Sequence, residues 1–438
     1  MTPTTPPTAE APTSSQTPGR MAIMLGMSVV IGIVAALLAS LFLWLVEEVQ
    51  HLVFTEVPHV WGMTHAPWWW AGILLIVAAG IVWLARKMPG ATGKGPLTGF
   101  HFDDPLNMVP SVILAAFASL VAGVALGPEA PLIVVGTAIA GLLTMKRAPE
   151  VRRAMMFIGG AAAISAVFGN PFITGFMILE FVALGLAPAV LILPVFTALA
   201  SSYLVSIGIW SIPGVGVHSL SVPGLPAYPN IEPGDLIAAL VVALVAGVVA
   251  LLARGGGLFV DRLAQKWSTP VLFAAAIVTM VMLLIGEAFG IAPDQILFSG
   301  NGGMATLVTQ TSVGIVVVIL VAKTIAYAVA LGGGFRGGPI FPVTFLGVAV
   351  AVLAHLILPD VSVSALAAAG IAGSAAAFLK LPATSAMLGA LLIAGAGAAI
   401  APFAIFGAVV GFAVRLVVDA RLARTQKLLS RTRTPSTP

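Results

Sequence analysis

The sequence predicts an all-α polytopic membrane protein built as an inverted-topology repeat of broken, tilted helices, and three observations predict it. Of 438 residues, 59% are hydrophobic and only 8% charged, whereas a soluble domain carries about 25% charged residues. With a mean hydropathy of +1.10, such a chain cannot cover a water-facing surface. Apolar runs recur from 21–46 to 400–418, punctuated by Gly and Pro. A single offset of 211 residues then superposes the punctuation of the two halves.

Residues 1–20, MTPTTPPTAEAPTSSQTPGR, have the composition of a disordered tail. The run 21–46 is too long for a signal-peptide core and reads as a retained span. A full span needs about 20 residues, and the runs at 108–125, 129–144, 154–168, 170–186, 363–379 and 383–398 fall short of that. Short runs interrupted by Gly and Pro predict helices that stop inside the membrane, which is tolerated only where they line a protected cavity. Basic residues cluster at Arg86/Lys87/Lys94, Lys146/Arg147/Arg152/Arg153, Arg254/Arg262/Lys266 and from Arg415 onward, while 47–67 and 206–234 contain no Lys or Arg. The positive-inside rule therefore predicts a plasma-membrane protein with both termini cytoplasmic. The expected organisation is a first membrane repeat over 21–210, an extracytoplasmic linker at 211–234, a second, inverted repeat over 235–418 and a basic tail at 419–438.

The repeat rests on particular residues. Gly123, Gly127, Pro128, Pro131 and Gly136 map onto Gly334, Gly338, Pro339, Pro342 and Gly347, and Gly159, Ala161, Ala166 and Pro171 map onto Gly370, Ala372, Ala377 and Pro382. A chain with 47 Gly and 31 Pro gives chance matches, but this many in one register mark an internal repeat. The first copy begins on the basic face and the second on the opposite face, so the two are inverted. Inverted repeats place a substrate site where broken helices meet.

In both copies a Gly-rich turn runs into Pro and then an apolar helix, LGPEAPLIVVG and GGGFRGGPIFPVTFLG. Such a helix start offers free N–H groups and roughly half a positive charge, an anion site that needs no cationic side chain. The candidate backbone donors are at Gly127, Ala130, Ile340 and Phe341. Glu129 lies at one of these starts, where its carboxylate can occupy the anion's place until protonation removes its charge; its repeat mate is Ile340. The plainer alternative is a carboxylate that caps its helix.

GPEAP resembles the GREGP signature of the CLC family of chloride channels and chloride/proton exchangers, and GGGFRGGPIFP is similar to that family's GGxFxP element. Lys323 in VAKTIAYAVALGGG and Glu180 in GNPFITGFMILE match further elements in the same order, over about 20–418. The resemblance implies a CLC-like fold of the bacterial type without cytoplasmic regulatory domains. It also implies a homodimer with one pore per subunit, transport of chloride or another small monovalent anion, and Glu129 as the gating glutamate. The family's serine-bearing GSGIP element is here ATGKGP, so the anion-coordinating position falls on Gly93 or, shifted by one, Thr92. Pro128 stands where the family has an arginine. The expected tyrosine has no counterpart, since Tyr203, Tyr228 and Tyr327 lie too early.

Glu180 is either a proton-path acid or a structural acceptor. It is followed by Phe181, where exchangers often carry a second acid, which leans the reading to a channel or weakly coupled conduction over a chloride/proton antiporter. Lys323 is expected to pack against helix C-terminal carbonyls, and Arg336 either raises the potential for anions or snorkels. His51, His59, His65, His101, His218 and His355 have no ligand spacing and cysteine is absent, so no metal or cofactor is expected. The net charge of +4 sits largely at the ends and in a few loops and implies no nucleic-acid partner. An intramembrane enzyme using Glu129 or Glu180 as acid or base would need a nucleophile, metal cluster or carboxylate pair, and none appears.

Overall fold

Apolar runs in a lipid environment become helices because every backbone polar group must be paired within its own segment. The computed structural model describes residues 18–103, 105–212 and 221–432, the last seven as backbone only. Residues 1–17 of the predicted tail, His218 within the linker and the end of the basic tail lie outside the described residues.

The first half contains α1 (Pro18–His51), α2 (Trp68–Ala85), α3 (Val109–Val121), α4 (Glu129–Leu143), α5 (Pro149–Phe168), α6 (Pro171–Ala183) and α7 (Ile192–Trp210). The second half repeats the order with α8 (Pro233–Lys266), α9 (Ser268–Ala288), α10 (Val313–Gly333), α11 (Ile340–Ile357), α12 (Val363–Leu379), α13 (Pro382–Leu391) and α14 (Ala401–Thr432). Among the described residues nine helices are long and apolar enough to cross a membrane, while the helices beginning at Glu129, Pro171 and Val363 are shorter, as their runs predict. The chain is a multi-pass membrane protein. Several boundaries differ from the sequence reading: α1 begins at Pro18, within the predicted tail; α5 starts at Pro149, which makes the short run 154–168 part of a 20-residue candidate span; α8 runs on to Lys266; and α14 continues through residues 419–432, because nothing after Arg415 breaks the helix.

The repeat appears in the packing. In the first half α4 lies against α5, and in the second α11 lies against α12. Small residues drive this in lipid, where close backbone approach replaces the hydrophobic effect between helices. A Cβ on Gly136 would enter the Gly159 carbonyl, and one on Gly347 would enter the Gly370 carbonyl. The same glycines that mark the repeat in sequence are thus its helix crossings.

The two halves meet through repeat mates. Helix α2 packs on α9 and α6 on α13, and Gly127 forms an isolated antiparallel bridge with Gly338. When a residue and its mate exchange hydrogen bonds in antiparallel fashion, a local two-fold axis runs between them. The inversion read from charge is therefore built into the backbone at the centre of the bundle. Beside the bundle, the segment after residue 220 is tied to the second half. Its Val222 and Tyr228 amides donate to Leu392 and Ala396, and the Tyr228 hydroxyl donates to Asp235 at 2.7 Å. Burial first, and the neighbouring Asp235 carboxylate second, hold the Tyr228 phenol above its ordinary pKa.

Candidate functional site

Both helix starts at the bridge have the pattern Pro-x-x-Pro: Pro128-Glu129-Ala130-Pro131 and Pro339-Ile340-Phe341-Pro342. Proline has no N–H, and the Leu132 amide already closes onto the Pro128 carbonyl. The first turn of α4 therefore keeps two amides, those of Glu129 and Ala130, and that of α11 keeps those of Ile340 and Phe341. Gly127 N–H donates to the Gly338 carbonyl at 2.7 Å, and Gly338 N–H returns a bond to Gly127. The Gly127 amide, expected to be free for an anion, is thus used to join the halves.

Glu129 is fully buried and reaches across the bridge. Its Oε1 accepts from the Phe341 N–H at 2.8 Å, so the carboxylate sits on the start of the other half's helix. Its Oε2 has no hydrogen-bond partner. A Cβ on Gly127 or on Gly338 would collide with this carboxylate, so a side chain at either position would force Glu129 to move.

Three cavities surround these turns. One of about 400 Å³ is lined by Gln50, Leu126, Pro128, Asp294, Asn301 and Phe341 among others. A small one of about 40 Å³ is lined by Gly93, Lys94, Ala130, Pro131, Arg336 and Pro339 among others. A third, about 420 Å³, adjoins the small one at Pro96, Gly99, Phe100 and Pro339 and includes Arg254, Lys380, Arg415 and Phe181. Pro128 and Phe341 face the first cavity while Ala130 and Pro339 face the second, so Glu129 stands between them.

The first-half loop closes the small cavity. Ala91, Thr92 and Gly93 all have positive φ (48°, 71° and 68°), and a non-glycine residue in that region costs about 1–2 kcal/mol. Arg336 holds the strained turn, donating from Nε to the Thr92 carbonyl at 2.7 Å and from Nη2 to the Gly93 carbonyl at 3.1 Å. Ser111 Oγ accepts from the Thr92 N–H at 3.3 Å. Gly93 lines the cavity; the Thr92 hydroxyl is buried without a partner. Folding thus brings the Arg336 guanidinium from the second half to the first-half loop, on the wall of the small cavity.

The remaining candidates lie elsewhere. Lys323 is buried and donates to the Leu297 and Phe298 carbonyls, so it anchors a loop; those acceptors replace the helix C-terminal carbonyls expected. Glu180 accepts from the amides of Ala383 and Thr384, each at 3.0 Å, and from the Thr384 hydroxyl at 2.7 Å. It thereby caps α13. The repeat explains why a distant acid is needed: Asn170 caps α6 by accepting from Phe172 N–H at 2.9 Å, but its mate is Leu381, which has no acceptor. Sequence reasoning set Tyr327 aside, yet it is fully buried and its hydroxyl donates to the Pro339 carbonyl at 2.8 Å. Its position four residues after Lys323, on the same helical face, was the available signal.

Two inverted seven-helix halves, with broken helices meeting end to end between cavities, define a polytopic membrane transport protein. The chain belongs to the family described as Voltage gated chloride channel, which it matches over residues 79–416; it is a channel or transporter and not an enzyme. It is 26% identical over 341 residues to proteins named as the ion-transport protein YfeO of Escherichia coli O6:H1 and O1:K1, covering 76% of this chain and 79% of theirs. The fold is similar to that of a slow cyanobacterial Cl−/H+ antiporter (TM-score 0.72, 17% identity, 92% of this chain and 97% of that one). It is also similar to that of a CLC-type fluoride/proton antiporter (TM-score 0.73, 18% identity, 91% and 96%).

Proposed function

We propose that this protein carries chloride or another small monovalent anion across the plasma membrane, through a path gated by Glu129. The observation that carries the reading is the Glu129 carboxylate resting on the Phe341 amide between two cavities. A carboxylate in that place is a tethered anion. Protonation removes its charge and weakens its hold on the amide, leaving Phe341 free to receive a mobile anion. Ala130 and Ile340 offer further amides, and Gly93 contributes backbone to the small cavity; the Thr92 hydroxyl is the less favoured partner. The basic ends face the cytoplasm in this reading, and the working unit is a homodimer with one path in each subunit.

The transport is passive or weakly coupled to protons. Phe181 lines the third cavity where a relay would need a protonatable group, and the Glu180 carboxylate is already committed to capping α13. The second reading, a chloride/proton antiporter, is favoured by the solved proteins of like fold, two of which are described as antiporters. Proteoliposomes given a chloride gradient while external pH is recorded separate the two. Chloride efflux without uphill proton movement is expected. Uphill proton movement that Glu180→Gln abolishes establishes the antiporter, and no anion flux at all rejects the transport reading.

A further inference from the structure

We infer that Arg336 is the fixed cation of the small cavity and sets its affinity for anions, a role resting on the proposed anion path and extending it. Of the five N–H groups of a guanidinium, four are directed at carbonyls. Nε donates to Thr92, Nη1 to Gly334 and Phe335, and Nη2 to Gly93. One N–H remains on a group that lines the cavity. All four acceptors are neutral, so the hydrogen bonds position the charge without cancelling it.

The surroundings compensate that charge only at a distance. Among the described residues no carboxylate forms an ion pair with Arg336. Asp261 acts on it only through space, and Arg86 adds like charge, donating to the same Gly334 carbonyl at 3.4 Å. Lys94, also on the cavity wall, is paired with Asp103 at 3.7 Å, and His101 is the remaining titratable group there. An unpaired charge within a membrane-buried bundle attracts a counter-ion strongly because little solvent screens it. The cavity of about 40 Å³ has room for about three water-sized spheres, which suits one small, partly dehydrated anion. Ala130 and Pro131, at the start of α4, line the same cavity, so helix dipole and guanidinium border one space. This arrangement supplies by charge what a serine or tyrosine hydroxyl supplies by hydrogen bonding.

Gly95 allows Arg336 to be neutralised without being removed. Its backbone is extended (φ −80°, ψ 164°), so it accepts a side chain, and a Cβ built there lies 4.0 Å from Arg336 Nη1. Gly95→Asp places a carboxylate beside the guanidinium; Gly95→Asn adds the same bulk without charge. Chloride flux from proteoliposomes is measured against chloride concentration for both variants and wild type, together with elution profile and melting temperature in detergent. The half-saturating chloride of Gly95→Asp is expected to rise about tenfold over that of Gly95→Asn, equivalent to about 1.4 kcal/mol. Arg336→Gln, where it folds, should show a loss at least as large. A ratio between the two Gly95 variants below about threefold overturns the assignment. Absence of chloride flux in wild type instead overturns the anion-path reading on which it rests.

Discussion

Glu129 and Glu180 are both acids of the first half, and each accepts hydrogen bonds from a helix start in the second half. Their repeat mates, Ile340 and Leu391, are apolar. There the likeness ends. Glu180 is partly exposed and receives three hydrogen bonds, from two amides and a hydroxyl. Glu129 is fully buried; its one close hydrogen bond is from Phe341, the Glu129 and Ile340 amides also act on it, and its second oxygen is unpartnered. A carboxylate with donors on both oxygens is a fixed cap, whereas one with an unpartnered oxygen yields its place at lower cost to a competing anion or to a proton. How completely each carboxylate is bonded, more than its place beside a broken helix, separates the proposed gate from the cap.

The comparison breaks most completely at the Glu129 turn itself. Gly338→Ala puts a methyl group into the Glu129 side chain, beside the bridge to Gly127. It should destabilise the protein by about 1–3 kcal/mol through overpacking and displace Glu129 from the Phe341 amide, so that flux in reconstituted vesicles loses its pH response. Full wild-type flux and pH response would show that Glu129 does not need the space that glycine leaves.

Glu180 should respond in stability alone. Glu180→Ala strands two amides and a hydroxyl at the start of α13, a loss of about 1–3 kcal/mol visible in the melting temperature in detergent. The pH profile of anion flux is expected to be unchanged. Smaller still is Asn170→Ala, which removes the α6 cap and should cost about 1 kcal/mol, again leaving the pH profile in place. A shift of that profile in either variant would erase the distinction between cap and gate.

Much of this was legible in the sequence because lipid imposes a simple grammar. The apolar runs became helices, and the 211-residue offset of Gly136/Gly159 and Gly347/Gly370 marked crossings where backbones touch. Glu129 was visible as the acid beside a helix start. What could not be read were contacts between the halves. The arrival of Glu129 on Phe341, of Glu180 on Ala383 and of Arg336 on Thr92 each joins residues about 200 or more apart in sequence. Local periodicity contains no information on which turn faces which. Tyr327 is hidden for a related reason: its spacing from Lys323 marks only a shared helix face, and its acceptor, the Pro339 carbonyl, is a backbone atom that no motif records. The αL turn at Ala91 and Thr92 was hidden as well, because neither residue type signals positive φ.

The most direct test of the gate is the pH dependence of chloride efflux from proteoliposomes containing wild type or Glu129→Gln, compared between acid and neutral conditions. The substituted amide keeps the shape of the protonated side chain and cannot acquire a negative charge. The account predicts wild-type flux that rises as pH falls and Glu129→Gln flux that is substantial and flat across the range. A variant that retains the full wild-type pH response, or that carries no anion while remaining folded, would contradict the claim that Glu129 is the displaceable anion of the path.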